Sequence, residues 1–224
     1  MSILTSKSYE SYIGDLFDKI KRKNLSDDMI LIPVLNDEGA IEAVLKPITY
    51  DYERLFPDCV YYMSKWRREN PSLSNSVFTV TDERTKNWLD NLILRRKDRL
   101  LFFIDTLDNK HVGHIAYSSF NFKKRTAEID AVLRGEPLLP GIMTKTIKSM
   151  IKWADKNLRL LNLQLRVNDD NPKAIALYER CGFERISRIP LFRRELDGEV
   201  RWDEDEGRDE SEAEKFELLM RRSR

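Results

Sequence analysis

The chain has 224 residues, 41% hydrophobic and 34% charged, and its 39 Lys and Arg against 38 Asp and Glu leave a net charge of +1. This suits one sizeable domain with its own core, and the cancelled charge gives no global field of the kind that gathers nucleic acid. Two cysteines, Cys59 and Cys181, are too few for a disulfide framework, and no Cys/His grouping has zinc spacing, so no metal is expected. No apolar stretch approaches the roughly 20 residues of a membrane span. The opening MSILTSKSYE lacks the basic-then-apolar pattern of a secretory signal. The expectation is a reduced, cytoplasmic protein with neither nucleic acid nor membrane as partner.

Tyr9, Tyr12, Ile13, Leu16, Phe17 and Ile20 mark one face of a helix over 9–23, which ends in a basic cluster, and residues 24–28 break it. Residues 30–35 read as a strand, 36–39 as a turn and 41–48 as a second strand. Two helices follow over 50–68 and 81–96, separated at Asn70-Pro71. Thr81 is placed to cap the second, and Trp88, Leu89, Leu92 and Ile93 give it an apolar face. Residues 99–106, 112–120 and 126–133 are three strands joined by short polar turns, an antiparallel meander.

The pattern then changes. Gly141 opens a helix with Met143, Ile147, Met150, Ile151 and Ala154 on its apolar face, and 161–167 is a strand. Asn171-Pro172 starts another helix that Gly182 ends. Residues 186–194 and 216–221 are the last strands, with an acidic loop over 197–214 between them. The class is α/β (α+β), a mixed, mostly antiparallel sheet with helices on both faces. Residues 1–40 read as an N-terminal extension of helix plus strand, and 41–224 as the main domain.

Two segments carry a family resemblance. AEIDAVLRGEPLLPGIMTKTIKSMIKWA resembles the cofactor-binding motif of the Gcn5-related N-acetyltransferases (GNAT). VNDDNPKAIALYERCGF resembles that superfamily's second signature, and the two stand in the right order with one strand between them. The likeness runs from about residue 41 to 221. One departure lies in the phosphate loop, where Leu138 and Met143 replace the usual Arg or Gln and the last small residue. The Gly-Ile-Met-Thr form is similar to the branch of ribosomal-protein and amino-sugar acetyltransferases.

The resemblance implies acetyl-CoA as cosubstrate and a primary amine as acceptor. Its pyrophosphate would meet the amides of Gly141, Ile142, Met143 and Thr144 at a helix N-terminus, where unpaired N–H groups suit an anion. The backbone of Val132, Leu133 and Arg134 would pair with the pantetheine arm like an added strand. Asn171 matches the cofactor-contacting Asn and is equally a helix cap. Tyr178 matches the Tyr near the CoA sulfur, where a phenol can protonate a departing thiolate; its other reading is a core aromatic. A lysine-like amine, with a pKa of about 10.4, needs a base to attack as the neutral form. Glu128 and Asp130, two apart on one strand face, and His114 on the preceding strand are the candidates, against structural readings for each. The acceptor reads as a small-molecule amine, an amino sugar or nucleotide-linked amino sugar. A protein N-terminus of the ribosomal type, and a non-catalytic acyl-CoA-binding module, are the alternatives. A homodimer is admitted.

Overall fold

The computed structural model describes residues 5–23 and 29–223, so the expected helix break at 24–28 lies outside the described residues. Helix α1 (Ser6–Lys21) begins where the Thr5 hydroxyl accepts the Ser8 N–H at 3.2 Å, satisfying one orphan donor of the first turn. It buries Tyr9, Ile13, Phe17 and Ile20 in the larger of two core clusters. Strand β1 (Ile32–Leu35) pairs antiparallel with β2 (Ile41–Pro47). Helix α1 and strand β1 therefore share the core and the sheet of the rest of the chain.

The helix expected over 50–68 is two, α2 (Tyr52–Leu55) and α3 (Cys59–Glu69). Pro57 forces the break: it has no N–H to donate and pushes Phe56 out of helical geometry (φ −136°, ψ 69°). Thr81 caps α4 (Asp82–Trp88) as expected, but the helix passes into a π-helical segment, Leu89–Leu94. The end of this segment leaves the carbonyls of Ile93 and Leu94 unpaired, and they accept the buried Lys21 ammonium at 2.8 and 3.2 Å together with the Arg96 carbonyl just beyond, at 2.5 Å. Burial draws the Lys21 pKa down to about 8.

The meander is present as β4 (Leu100–Thr106), β5 (His111–Asn121) and β6 (Thr126–Arg134). After it come α5 (Ile142–Asn157), β7 (Asn162–Asn168), α6 (Pro172–Arg180) and β8 (Glu184–Leu196). Two strands were not expected. Strand β9 (Glu199–Asp203) returns along β8, and the three-residue β3 (Ser76–Phe78) pairs with it. The last strand is β10 (Lys215–Ser223). The ten strands run in the order β1-β2-β4-β5-β6-β7-β10-β8-β9-β3. Every neighbouring pair is antiparallel except β6 with β7.

Each face of the sheet has its own apolar layer. Helices α1, α5 and α6 cover one face through Ile147, Met150, Ile175 and their neighbours. Helices α2 and α3 and the π-helical segment cover part of the other, around Trp66, Phe103 and Leu133. The β8–β9 hairpin and β3 lie at the end of the sheet on the side of β10. The acidic run is largely neutralised there: Glu204 meets Arg166, Asp205 meets Arg194 at 3.1 Å, and Glu212 meets Arg208 at 2.8 Å.

Candidate acyl-transfer site

The site begins with the single parallel contact. Strands β6 and β7 pair only through Thr126–Asn162, Ala127–Leu163 and Glu128–Gln164, although β6 continues to Arg134 and β7 to Asn168. Beyond Glu128 the two strands diverge, so the β7-facing edge of residues 129–134 has no strand partner. An open edge of this kind presents a row of amides and carbonyls to an extended ligand. Val132, Leu133 and Arg134, the expected pantetheine partners, lie on this arm of the V.

A β-bulge shapes that arm. Across β5, Ala116 faces Asp130 and His114 faces Leu133, which leaves one extra residue on β6. Ala131 takes it up with φ +47°, a rare value for a residue with a Cβ. Two side chains hold it. The Asp130 carboxylate accepts the Ala131 N–H at 2.6 Å, and the His114 Nδ1–H donates to the Ala131 carbonyl at 2.7 Å. The bulge exchanges the faces of the strand. Ala127 and Ile129 pack toward α5, whereas Ala131 and Leu133 pack toward α3.

His114 is thereby bound as a brace. It is 9% exposed beside Trp66, and burial pulls its pKa down to about 4. In the unfolded chain a histidine titrates near 6.5, so between those values the unfolded state binds more protons. The contribution is present above about pH 6.5 and is lost as pH falls toward 4. Acidification from pH 7 to 5 is expected to cost about 2 kcal/mol through this residue. Urea midpoints across that range check it: His114→Gln should flatten the acid limb, and an unchanged slope would refute the assignment.

The other arm and the floor carry the remaining candidates. Tyr178 on α6 is 6% exposed and packs its ring on Phe183, and its hydroxyl has no hydrogen-bond partner among the described residues. Burial, then the charges of Asp130 and Cys181, raise its pKa well above that of a free phenol, so it stays protonated at neutral pH. The Asn171 Oδ1 caps α6 by accepting the Ala174 N–H at 3.1 Å. At the head of α5, Gly141 takes φ +76°, and nothing lies within 4 Å of where a Cβ would stand. Of the amides expected to meet a pyrophosphate, Ile142 N–H donates to the Leu139 carbonyl and Thr144 N–H to the Gly141 carbonyl, both at 3.1 Å, so the open ground is served by the N–H groups of Gly141 and Met143. The Arg134 side chain turns instead to the carbonyls of Glu136 (3.3 Å) and Leu138 (3.1 Å), fastening the loop that leads to Gly141.

On the face opposite α5 stands a polar group that includes residues not foreseen. Asp130 accepts the Ser118 hydroxyl at 2.9 Å. Glu128 accepts Gln164 Nε2 at 3.2 Å and stands 3.5 Å from Arg166 Nε. The same guanidinium meets Glu204 and lies 3.9 Å from Glu217. Asn75 donates to Glu217 at 2.6 Å, and burial pushes the Glu217 carboxyl up. Several carboxylates round one guanidinium make this end of the face attractive to an ammonium group. The alternation Gln164, Arg166 and Glu217, Leu219, Arg221 along β7 and β10 is the signal that marks this face in the sequence.

With this geometry in view, the comparisons are specific about family. Residues 43–184, well over half of the chain, match the family model described as an acetyltransferase (GNAT) domain. The chain belongs to this family, and acetyl-CoA is the donor its domain uses. A spermidine N(1)-acetyltransferase of Vibrio cholerae serotype O1 is 28% identical over 82 residues, 37% of this chain and 47% of the relative. An N-acetyltransferase 9-like protein of Caenorhabditis briggsae is 33% identical over 63 residues, 26% of this chain and 32% of the relative. The matches thus span less than half the length of both curated relatives. A crystal structure of the Vibrio cholerae spermidine N-acetyltransferase in complex with CoA and spermine shares the fold. Its TM-score is 0.53 at 17% identity, over 80% of this chain and 94% of that one. The curated relative named for its acceptor acts on a polyamine, where the sequence resemblance had pointed to amino sugars.

Proposed function

We propose that the chain is an N-acetyltransferase moving acetyl from acetyl-CoA to a primary amine of a small molecule. The observation that carries this is the three-pair parallel contact of β6 and β7 and the V beyond it, with Gly141 and α5 at one end and Tyr178 within. Acetyl-CoA supplies the acetyl group as a thioester, whose C–S bond breaks as the C–N bond to the amine forms. The open edge of residues 129–134 aligns the pantetheine arm, and the α5 amides hold its phosphates. Asp130 takes the proton from the attacking amine, directly or through one water: Glu128 is held by the Arg166 cation, whereas the partners of Asp130, the Ser118 hydroxyl and the Ala131 N–H, are uncharged. Tyr178 gives its phenolic proton to the departing sulfur and is reprotonated from solvent. Holding amine and thioester in line is worth several kcal/mol by itself.

A second acceptor reading, a polyamine, rests on the spermidine acetyltransferase among the relatives. CoA release followed by thiol titration, over amino sugars, nucleotide-linked amino sugars, spermidine and N-terminal peptides, tests the function. Turnover with one class supports the enzyme and selects the acceptor. Acetyl-CoA binding without turnover of any amine would favour a non-catalytic module.

A further inference from the structure

Strand β6 ends at Arg134, and residues 135–141 carry the chain to the head of α5. The start of this segment is pressed on Trp66 of α3, which is fully buried. A Cβ at Gly135 would stand 2.1 Å from the indole ring, so the ring lies directly on the backbone. The next residue reaches back to the same helix. One Glu136 oxygen, Oε1, accepts the Trp66 Nε1–H at 2.9 Å and the Lys65 ammonium at 2.7 Å. Those two donors, Lys65 first, hold the Glu136 carboxyl below the usual carboxylate range, so it is ionised at neutral pH. Trp66 also stands beside His114, with ring centres 6.0 Å apart, and His114 braces the Ala131 carbonyl. The indole thus adjoins both the brace of the bulge and the start of the loop. Among the described residues, the other side-chain hydrogen bonds to residues 135–140 come from Arg134, which belongs to the arm itself. Arg134 can stiffen the arm, whereas Glu136 ties it to a helix.

We propose that Glu136 is a positioning residue for the donor: by fastening the start of the 135–141 loop to Trp66 and Lys65, it presets the groups that bind CoA. The inference rests on the reading of residues 129–134 as the pantetheine edge. One continuous piece of chain serves both ends of the donor, the pantetheine along residues 129–134 and the phosphates at the Gly141 and Met143 amides. Residues 135 and 136 lie between the two, so a shift there moves one binding group relative to the other. A segment held in its binding arrangement before the ligand arrives spares the cost of ordering it on association. The buried indole N–H adds a penalty for letting go, because without Glu136 it has no acceptor among the described residues. The clamp also makes α3, on the face opposite α5, one unit with the donor edge.

Calorimetric titration of CoA into wild type and three variants makes the test, at a temperature where thermal unfolding shows each protein folded. Glu136→Ala is expected to weaken CoA about 10-fold. Glu136→Gln keeps an oxygen for the indole N–H and should recover most of the loss, and Lys65→Met should weaken CoA about two- to threefold. Amide hydrogen exchange over residues 131–141 should be faster in Glu136→Ala without CoA and return to the wild-type rate at saturating CoA. A lower Tm for Glu136→Ala with unchanged CoA affinity in the folded protein would make the clamp a structural contact only and overturn the proposal. An equal loss in Glu136→Gln and Glu136→Ala, with Lys65→Met at wild-type affinity, would overturn it as well. Lys65 is partly exposed and its variant leaves the indole bond in place, so it answers even where Glu136→Ala lowers stability. Failure of wild type to bind CoA would instead remove the donor reading, and this one with it.

Discussion

Tyr178→Phe is expected to lower kcat about 100-fold and to leave the KM for acetyl-CoA nearly unchanged. The substitution removes one oxygen and no packing. The ring still meets Phe183 at a centroid distance of 6.4 Å, and no hydrogen bond of the hydroxyl is lost. What disappears is a proton donor on the buried side of the V. Its pKa is raised first by burial and then by the charge of Asp130, so the wild-type donor is present throughout the neutral range. The profile of kcat between about pH 6 and 9 should accordingly show no limb from this phenol. Steady-state rates at saturating acetyl-CoA, with thermal unfolding of both proteins, make the test. A fall in Tm with kcat preserved would reduce Tyr178 to a core aromatic, the alternative its helical position always allowed.

The parts of the fold that were legible in the sequence are those fixed by local chemistry. The meander β4–β5–β6 follows from apolar runs divided by polar turns, and α6 from the Asn171-Pro172 start and the Gly182 stop. Thr81 caps α4 as its type and position imply. Other signals were present and outweighed. Pro57 divides α2 from α3, and Asp197-Gly198, with Gly198 at φ +70°, is a hairpin turn inside what reads as an acidic loop. Strand β3 has only three residues, and its pairing with β9 is a long-range matter that no window of sequence contains.

The site divides in the same way. Gly141, Asn171 and Tyr178 are local features of two helices and can be read from the chain. The bulge at Ala131 cannot, because it belongs to the register between β5 and β6 and appears only when Ala116 and His114 find their partners. His114 carried a base reading and, as a strand histidine, a structural one. Its bond to the Ala131 carbonyl makes it part of the frame. Arg166, Glu217 and Arg221 alternate correctly for one face of a strand, but their meaning depends on β7 and β10 lying side by side. Spatial neighbours from residues far apart in the chain are the information that periodicity lacks.

Gly113→Ala is expected to cost about 3 kcal/mol, lowering Tm by about 10 °C, and to raise the KM for acetyl-CoA. A Cβ at this position would stand 2.1 Å from the carbonyl oxygen of Leu133 and 3.1 Å from the Arg134 Cα. Both are backbone atoms, so no rotamer change relieves the clash. The β6 end cannot withdraw freely either, because the N–H groups of Gly135 and Glu136 both donate to the Val112 carbonyl, at 2.8 and 2.9 Å. Relief must come from moving the arm of the V that runs from Ala131 to Arg134, the arm assigned to the pantetheine. Gly141→Ala is the matched control. Its backbone is left-handed, which disfavours a Cβ by about 1–2 kcal/mol, yet nothing crowds it within 4 Å. Calorimetric unfolding of the two variants separates crowding from dihedral strain, and acetyl-CoA KM is read on Gly113→Ala alone, because Gly141 itself faces the phosphates. If Gly113→Ala is the milder, β6 moves aside at little cost, and the V is a compliant groove whose shape the donor itself sets. If it is the more severe by the expected margin, the arm is rigid before acetyl-CoA arrives, and the site is built in advance for the thioester.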